Sequence, residues 1–222
     1  MSASTELEGW FGKTDKVVYD AQVKRARDDA KFVEIGCWKG RSSCHMASAI
    51  RNSGKQIELF CVDTWMGSTE HVNELCVQSD TLYEEFLSNT QSFKDIIHPV
   101  RLPSVEASQQ FEDGSCDFIF IDAAHDYDNV LADIDAWLPK LKANGVLAGH
   151  DYCATYPGVI QAVEKKFGGK ATLYGTSWIH SEPSLCLPSG SPSEILRLLR
   201  FKVKHFLLRR QFAQYLPLRS AA

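Results

Sequence analysis

The 222-residue sequence has no C-x-x-C pair, no internal repeat and no apolar run approaching the roughly 18 residues of a spanning helix. Its first residues, Met1 to Glu8, are polar and lack the apolar core of a secretory leader. Its seven cysteines, at 37, 44, 61, 76, 116, 153 and 186, are odd in number and scattered. These absences argue against a structural zinc site, a disulfide framework and a membrane span, and the expectation is a reduced, cytoplasmic protein. The glycine-rich dinucleotide fingerprint is missing too. G-x-G-x-x-G would need glycines at 36, 38 and 41, but Trp38 and Arg41 stand at the last two. That counts against a nicotinamide-dependent oxidoreductase. What remains is ordinary for a globular chain: 44% hydrophobic and 23% charged residues, with length for one α/β domain plus additions. The net charge of −4 is unevenly spread, because residues 191–222 hold seven Lys/Arg against Glu194 alone. The body is acidic and the tail basic.

The most informative stretch is Phe32-Val33-Glu34-Ile35-Gly36-Cys37-Trp38-Lys39-Gly40-Arg41-Ser42-Ser43. An apolar run ends in an acid, two glycines follow four apart, and a helical pattern begins at Arg41. A strand, a tight loop and a helix start let a ligand approach the backbone beside free N–H groups. The same turn also occurs as plain α/β architecture.

Residues 1–30 read as a cap segment and a helix over 17–30. Residues 31–182 alternate strands and helices, with strands expected at 31–35, 57–63, 100–102, 117–122, 146–149, 171–174 and 177–180. The pattern predicts a doubly wound, Rossmann-like, seven-stranded, mostly parallel sheet with helices on both faces. Residues 66–80, polar and aperiodic, read as a loop or lid over a site. Asn144-Gly145 reads as a stop before the fifth strand, with Asn144 left-handed. Residues 183–222 read as a linker and a basic amphipathic helix, which packs on the domain or a second subunit, or lies weakly on a membrane surface. No aromatic–basic platform accompanies that charge, so nucleic acid is not expected.

Acids stand at or beside four of the first five strand ends: Glu34, Asp63, Asp122 and Asp151. Ligands of open α/β sheets bind at that edge. Asp63 suits a ribose, and Trp65, after Thr64, offers an indole for a purine face. Asp122, His125, His150 and Asp151 come from neighbouring strand ends, and two chemistries are open to them. One is general base catalysis on a hydroxyl. The other is a divalent metal on Asp122, His150 and Asp151, Mg²⁺ or, given the histidine, a softer ion. His150 also has a plain reading as a loop-orienting residue.

The ordered set Glu8-Gly9-Trp10-Phe11, Val33 to Ser43, Val62-Asp63-Thr64-Trp65-Met66-Gly67, Leu82 to Leu87, Ile121 to Tyr127 and Gly149-His150-Asp151-Tyr152 resembles a particular family. It is the class I S-adenosylmethionine (SAM) methyltransferases found near glycosyltransferase and natural-product genes, related to macrocin O-methyltransferase and cephalosporin-hydroxylase-like proteins. The resemblance spans about residues 8–180. It implies that Glu34, Gly36 and Gly40 hold the methionine end of SAM, with Cys37, Trp38, Ser42 and Ser43 adjacent. It places Asp63 on the ribose, Ser104 at the adenine edge, and Asp122 with His125 at the methyl-donor end. Ala123 and Asn144 stand where the family often has glycine. The implied activity is SAM-dependent O-methylation of a small molecule or sugar, with metal assistance open; a homo-oligomer is expected beside it. The alternative is a SAM-binding or scaffold protein of the same fold without chemistry.

Overall fold

The computed structural model describes residues 7–181. In chain order the elements are α1 (Lys13–Arg25), β1 (Lys31–Ile35), α2 (Arg41–Ser53), β2 (Glu58–Asp63), α3 (Leu75–Gln78), α4 (Leu82–Thr90), β3 (Ile97–Arg101), α5 (Ser104–Ser108), β4 (Cys116–Ile121), α6 (Tyr127–Trp137), β5 (Leu141–Gly149), α7 (Pro157–Phe167), β6 (Thr172–Tyr174) and β7 (Ser177–Ser181). The linker and basic helix expected over 183–222 lie outside the described residues.

The strands form one seven-stranded sheet in the order β3-β2-β1-β4-β5-β7-β6. β1 to β5 pair in parallel, and the β6–β7 hairpin adds antiparallel to β5. The order reverses between β1 and β4, so the crevice at their carboxyl ends is the natural ligand site of such a sheet. Strand alternation sends Phe32, Leu59, Cys61, Phe118 and Phe120 to one face, where α1, α2 and α4 cover them. Val33, Ile35, Val62, Ile119 and Ile121 go to the other face, beneath α5, α6 and α7. A sheet buried on both sides needs continuous apolar strands, and Phe118-Ile119-Phe120-Ile121 is one.

Four expectations need correction. The third strand runs over Ile97–Arg101 rather than 100–102, because its pairing with β2 begins at Leu59↔Ile97. The first helix occupies Lys13–Arg25, earlier than the expected 17–30. Asn144-Gly145 does not stop the chain: β5 runs from Leu141 to Gly149, and the register slips between Cys116↔Leu141 and Phe118↔Val146. The extra residues are absorbed as a bulge inside the strand, so no left-handed turn is needed. Among the described residues, the non-glycine left-handed positions are Asp29, Trp38, Trp65, Asp80 and Asp151, and Asn144 is not one of them. Finally, residues 66–80 are not irregular throughout: a 3₁₀ turn at Thr69–His71 and the short α3 stand in them.

Candidate active site

At the switch point the loop after β1 meets the loop after β4. A side chain at Gly36 would place its Cβ 2.0 Å from the Asp122 carbonyl oxygen, and φ is +85°. Glycine is therefore required by the approach of two backbones. Gly40, at φ +83°, is needed for a different contact: its Cβ would press on Thr90 and Phe86 of α4 at 2.8 and 3.1 Å. Between them the loop is held from below by Asp63. One of its carboxylate oxygens accepts the Cys37 and Trp38 amides at 2.8 and 3.0 Å, and the other accepts the Trp65 amide at 2.8 Å. Trp38 is left-handed at φ +48°, a conformation an indole-bearing residue adopts only when its surroundings impose it.

Above this loop opens a cleft of about 760 Å³, within the usual range of small-molecule sites. The N-terminal segment forms one lip. Lys39 pairs with Glu8 at 2.8 Å and Arg41 donates to the Gly9 carbonyl at 2.7 Å, which holds Trp10 at the mouth. There Trp10 packs on Trp38 and His71 with ring centroids 5.8 and 5.3 Å apart, although its own side is 65% exposed. The Trp38 Nε1 hydrogen is buried without a partner among the described residues.

The opposite wall carries the titratable cluster. His125 sits between two acids, Nδ1 at 3.0 Å from Glu70 and Nε2 at 2.9 Å from Asp151, and its ring stacks on Tyr156 at 4.0 Å. His150 Nδ1 lies 3.2 Å from Asp151 and 3.6 Å from Asp122, while its Nε2 faces the Thr176 hydroxyl at 2.8 Å. Asp151 is left-handed at φ +58°, which asparagine and aspartate tolerate better than other residues. Burial works against charge on His150, but the bond to Asp151 and the charges of Asp122, Asp151 and Asp15 outweigh it, lifting its pKa to about 9. Burial also opposes charge on His125, and Asp151 and Glu70 raise it all the same. Burial pushes Asp122 up to about 7, with Asp151 adding to the lift and the two histidines opposing it. Asp151 is held well below the usual carboxylate range: bonds from His125 and His150 overcome the cost of its burial. The four groups thus share protons among closely spaced opposite charges.

The structure brings together Asp122, His125, His150 and Asp151. It also sets Gly36, Cys37, Trp38, Ser42, Asp63, Thr64 and Ser104 on the cleft wall. Other expected site residues lie elsewhere. Glu34 is 1% exposed beneath the loop, where Tyr19 donates to it at 2.8 Å and Ser43 donates a short hydrogen bond. Burial raises its pKa against the hydrogen bonds of Ser42, Ser43, Tyr19 and Cys61. Glu34 and Ser43 therefore brace the loop from inside the core. Trp65 does not offer its indole to a purine. It is 1% exposed, packed on Tyr83 and Phe86, and its Nε1 donates to the Trp38 carbonyl at 3.0 Å. The Ser104 hydroxyl accepts from Trp137 Nε1 at 2.9 Å, so its bond runs away from the cleft. Among the described residues two donor sets come within 4.8 Å: Glu34, Cys37 and Cys61 in the core, and Asp122, His125 and Asp151 at the cleft, with His125 taking the place expected for His150.

Several residues of the site were not read from the sequence. Glu70 and His71 belong to the segment expected to form a lid, but nothing in its polar pattern marks which side chains turn inward. Tyr156 follows the strand-five motif without a recognisable spacing. Trp10 stands inside the quoted Glu8-Gly9-Trp10-Phe11 motif, yet its partners come from 28 and 61 positions downstream.

A family model described as a methyltransferase domain matches residues 33–152. An uncharacterized protein, y4gI, of Sinorhizobium fredii (strain NBRC 101917 / NGR234) is 31% identical over 121 residues, which are 54% of this chain and 13% of that protein. The matched region is thus a small part of that curated relative. Among solved structures, the O-methyltransferase NovP is 13% identical, covering 77% of this chain and 80% of its own, with a TM-score of 0.60. CalS11, a TDP-rhamnose 3′-O-methyltransferase in calicheamicin biosynthesis, is 17% identical over 76% of this chain and 78% of its own, with a TM-score of 0.54. Cofactor-bound Rv0187 from MTB is 16% identical over 78% and 80%, again at 0.54. At such identities the three likenesses concern the fold. Among the described residues no helix is long and apolar enough to cross a membrane.

Proposed function

The chain belongs to the methyltransferase-domain family, and from that premise we propose that it transfers the methyl group of SAM to a hydroxyl of a small-molecule or sugar acceptor. The observation that carries the reading is the convergence of Asp122, His125, His150 and Asp151 beside the glycine loop, at the switch point of the sheet. The residues fit the donor. Gly36 to Ser42 would hold its methionine end, Asp63 its ribose and the Leu102–Ser104 turn its adenine, and Trp38 Nε1 meets no acceptor among the described residues. Bound SAM supplies a methyl group on a cationic sulfur, a charge that suits an acidic cleft.

The chain's own contribution is alignment and proton acceptance. The loop and the Trp10 lip fix one reactant and exclude water, while the His–Asp cluster receives the other. An acceptor hydroxyl placed against Asp122 gives up its proton to that carboxylate, and the imidazoliums of His125 and His150 offset the negative charge left on the oxygen. The same side chains fit a divalent cation such as Mg²⁺ or Mn²⁺. Asp122, Asp151 and His125 would be its ligands, with Glu70 behind His125 as the carboxylate that orients a metal-bound imidazole. Such an ion would supply positive charge to the acceptor oxygen.

The test is calorimetric titration with SAM followed by turnover of wild type, Asp122→Ala and Asp151→Ala. We expect all three to bind SAM and both variants to lose at least about a hundredfold in turnover. Absence of SAM binding to the wild type would end the reading. Turnover that survives exhaustive EDTA treatment would remove the metal from it and leave the rest.

A further inference from the structure

We infer that Asp15, on the first helix, is a positioning residue that holds the imidazole of His150. The inference rests on the cluster being the reacting end of the site. Asp15 occupies the first turn of α1, where an acid ordinarily lies in solvent and caps the helix. Its Oδ2 does accept the Gly12 amide at 2.8 Å. Capping does not require burial, however, and Asp15 is only 3% exposed. Taking a carboxylate out of water is unfavourable unless other groups compensate. The compensation comes from the site side: Oδ1 accepts the Ser177 hydroxyl at 2.8 Å and lies 3.4 Å from His150 Nε2.

His150 is thereby clamped from behind. Its Nε2 faces two acceptors, the Thr176 hydroxyl and Asp15 Oδ1. The arrangement keeps a hydrogen on Nε2 and turns Nδ1 toward Asp122, Asp151 and the cleft. The clamp is tied to the loop that bears the cluster, because the Tyr152 amide donates to the Thr176 carbonyl at 2.8 Å. Asp15, Thr176 and Ser177 all fall outside residues 33–152, the family-matched region. Segments from either side of that region therefore meet on the Nε2 side of this imidazole, while Asp122 and Asp151 within the region face its Nδ1.

The experiment is NMR of the imidazole nitrogens and their hydrogens in the full chain, with His150 assigned by loss of its signals in His150→Gln. Wild type, Asp15→Asn and Asp15→Ala are compared, and SAM titration of the same samples tests the family reading separately. We expect a protected Nε2 hydrogen in wild type, faster exchange and an upfield move in Asp15→Asn, and loss of protection in Asp15→Ala. SAM affinity should stay within about twofold throughout, while turnover of an acceptor that wild type methylates should fall about tenfold or more in Asp15→Ala with KM little changed. A folded Asp15→Ala protein with wild-type His150 signals would overturn the inference. If Asp15→Ala does not fold, Asp15→Asn decides: wild-type exchange there would overturn it equally.

Discussion

Single residues differ in whether their surroundings accept their charge. Asp133, in α6 beneath the sheet, is 5% exposed, and burial lifts its pKa from 3.8 to about 6 against a Ser104 hydrogen bond. The protonated form is the one the folded state favours. Its contribution is complete below the unfolded value of 3.8 and is lost as pH rises through about 6. Two units correspond to about 3 kcal/mol. Asp133→Asn should therefore gain on wild type by roughly that much between pH 4 and pH 7.5 in urea unfolding. Parallel pH profiles for the two proteins would show that Asp133 does not carry this charge cost. The cluster residues behave differently, because each acid has a histidine within reach. Asp122, His150 and Asp151 were legible from sequence for a physical reason: strand-end positions converge in any parallel sheet. The partnership of His125 with Glu70 was not, since it is made by a loop 55 residues away.

At the scale of elements, the loop between β1 and α2 is the most tightly specified. Gly36→Ala would drive a Cβ into the Asp122 carbonyl and force a positive φ on alanine. We expect a loss beyond the ~1–3 kcal/mol of ordinary overpacking, with SAM binding abolished in any protein that still folds. A variant with wild-type stability and affinity would mean that the β1–β4 crevice is wider than 2.0 Å implies. β1 was read to the residue, because Phe32-Val33-Glu34-Ile35 is apolar and Gly36 ends it. β5 was misread at its start. Asn-Gly is a strong local turn signal, but the pairing of Leu141 with Cys116 overrode it through a bulge. Glu34 shows the same limit in the site. Its place after an apolar run was legible, whereas the side to which its carboxylate turns was set by Tyr19 and Ser43.

Over the whole molecule, two apolar layers share one sheet, and α1 belongs to the first of them. Val18, Tyr19 and Val23 are buried, and the Tyr19 ring meets Phe118 and Phe120 edge-on at 6.0 and 4.8 Å. A chain starting at residue 27 would expose these aromatic faces. It should lose its near-ultraviolet dichroism and its single cooperative unfolding transition; retention of both would show that α1 is an accessory rather than part of the core. The antiparallel β7 has a further consequence. Trp178 pairs with Gly149 beside the cleft, whereas Ser181 pairs with Val146, farther back along β5. β7 therefore runs from the cleft side of the sheet back toward the opposite end. A reporter group attached at Ser181 would thus sit away from the opening and leave the acceptor's approach unobstructed.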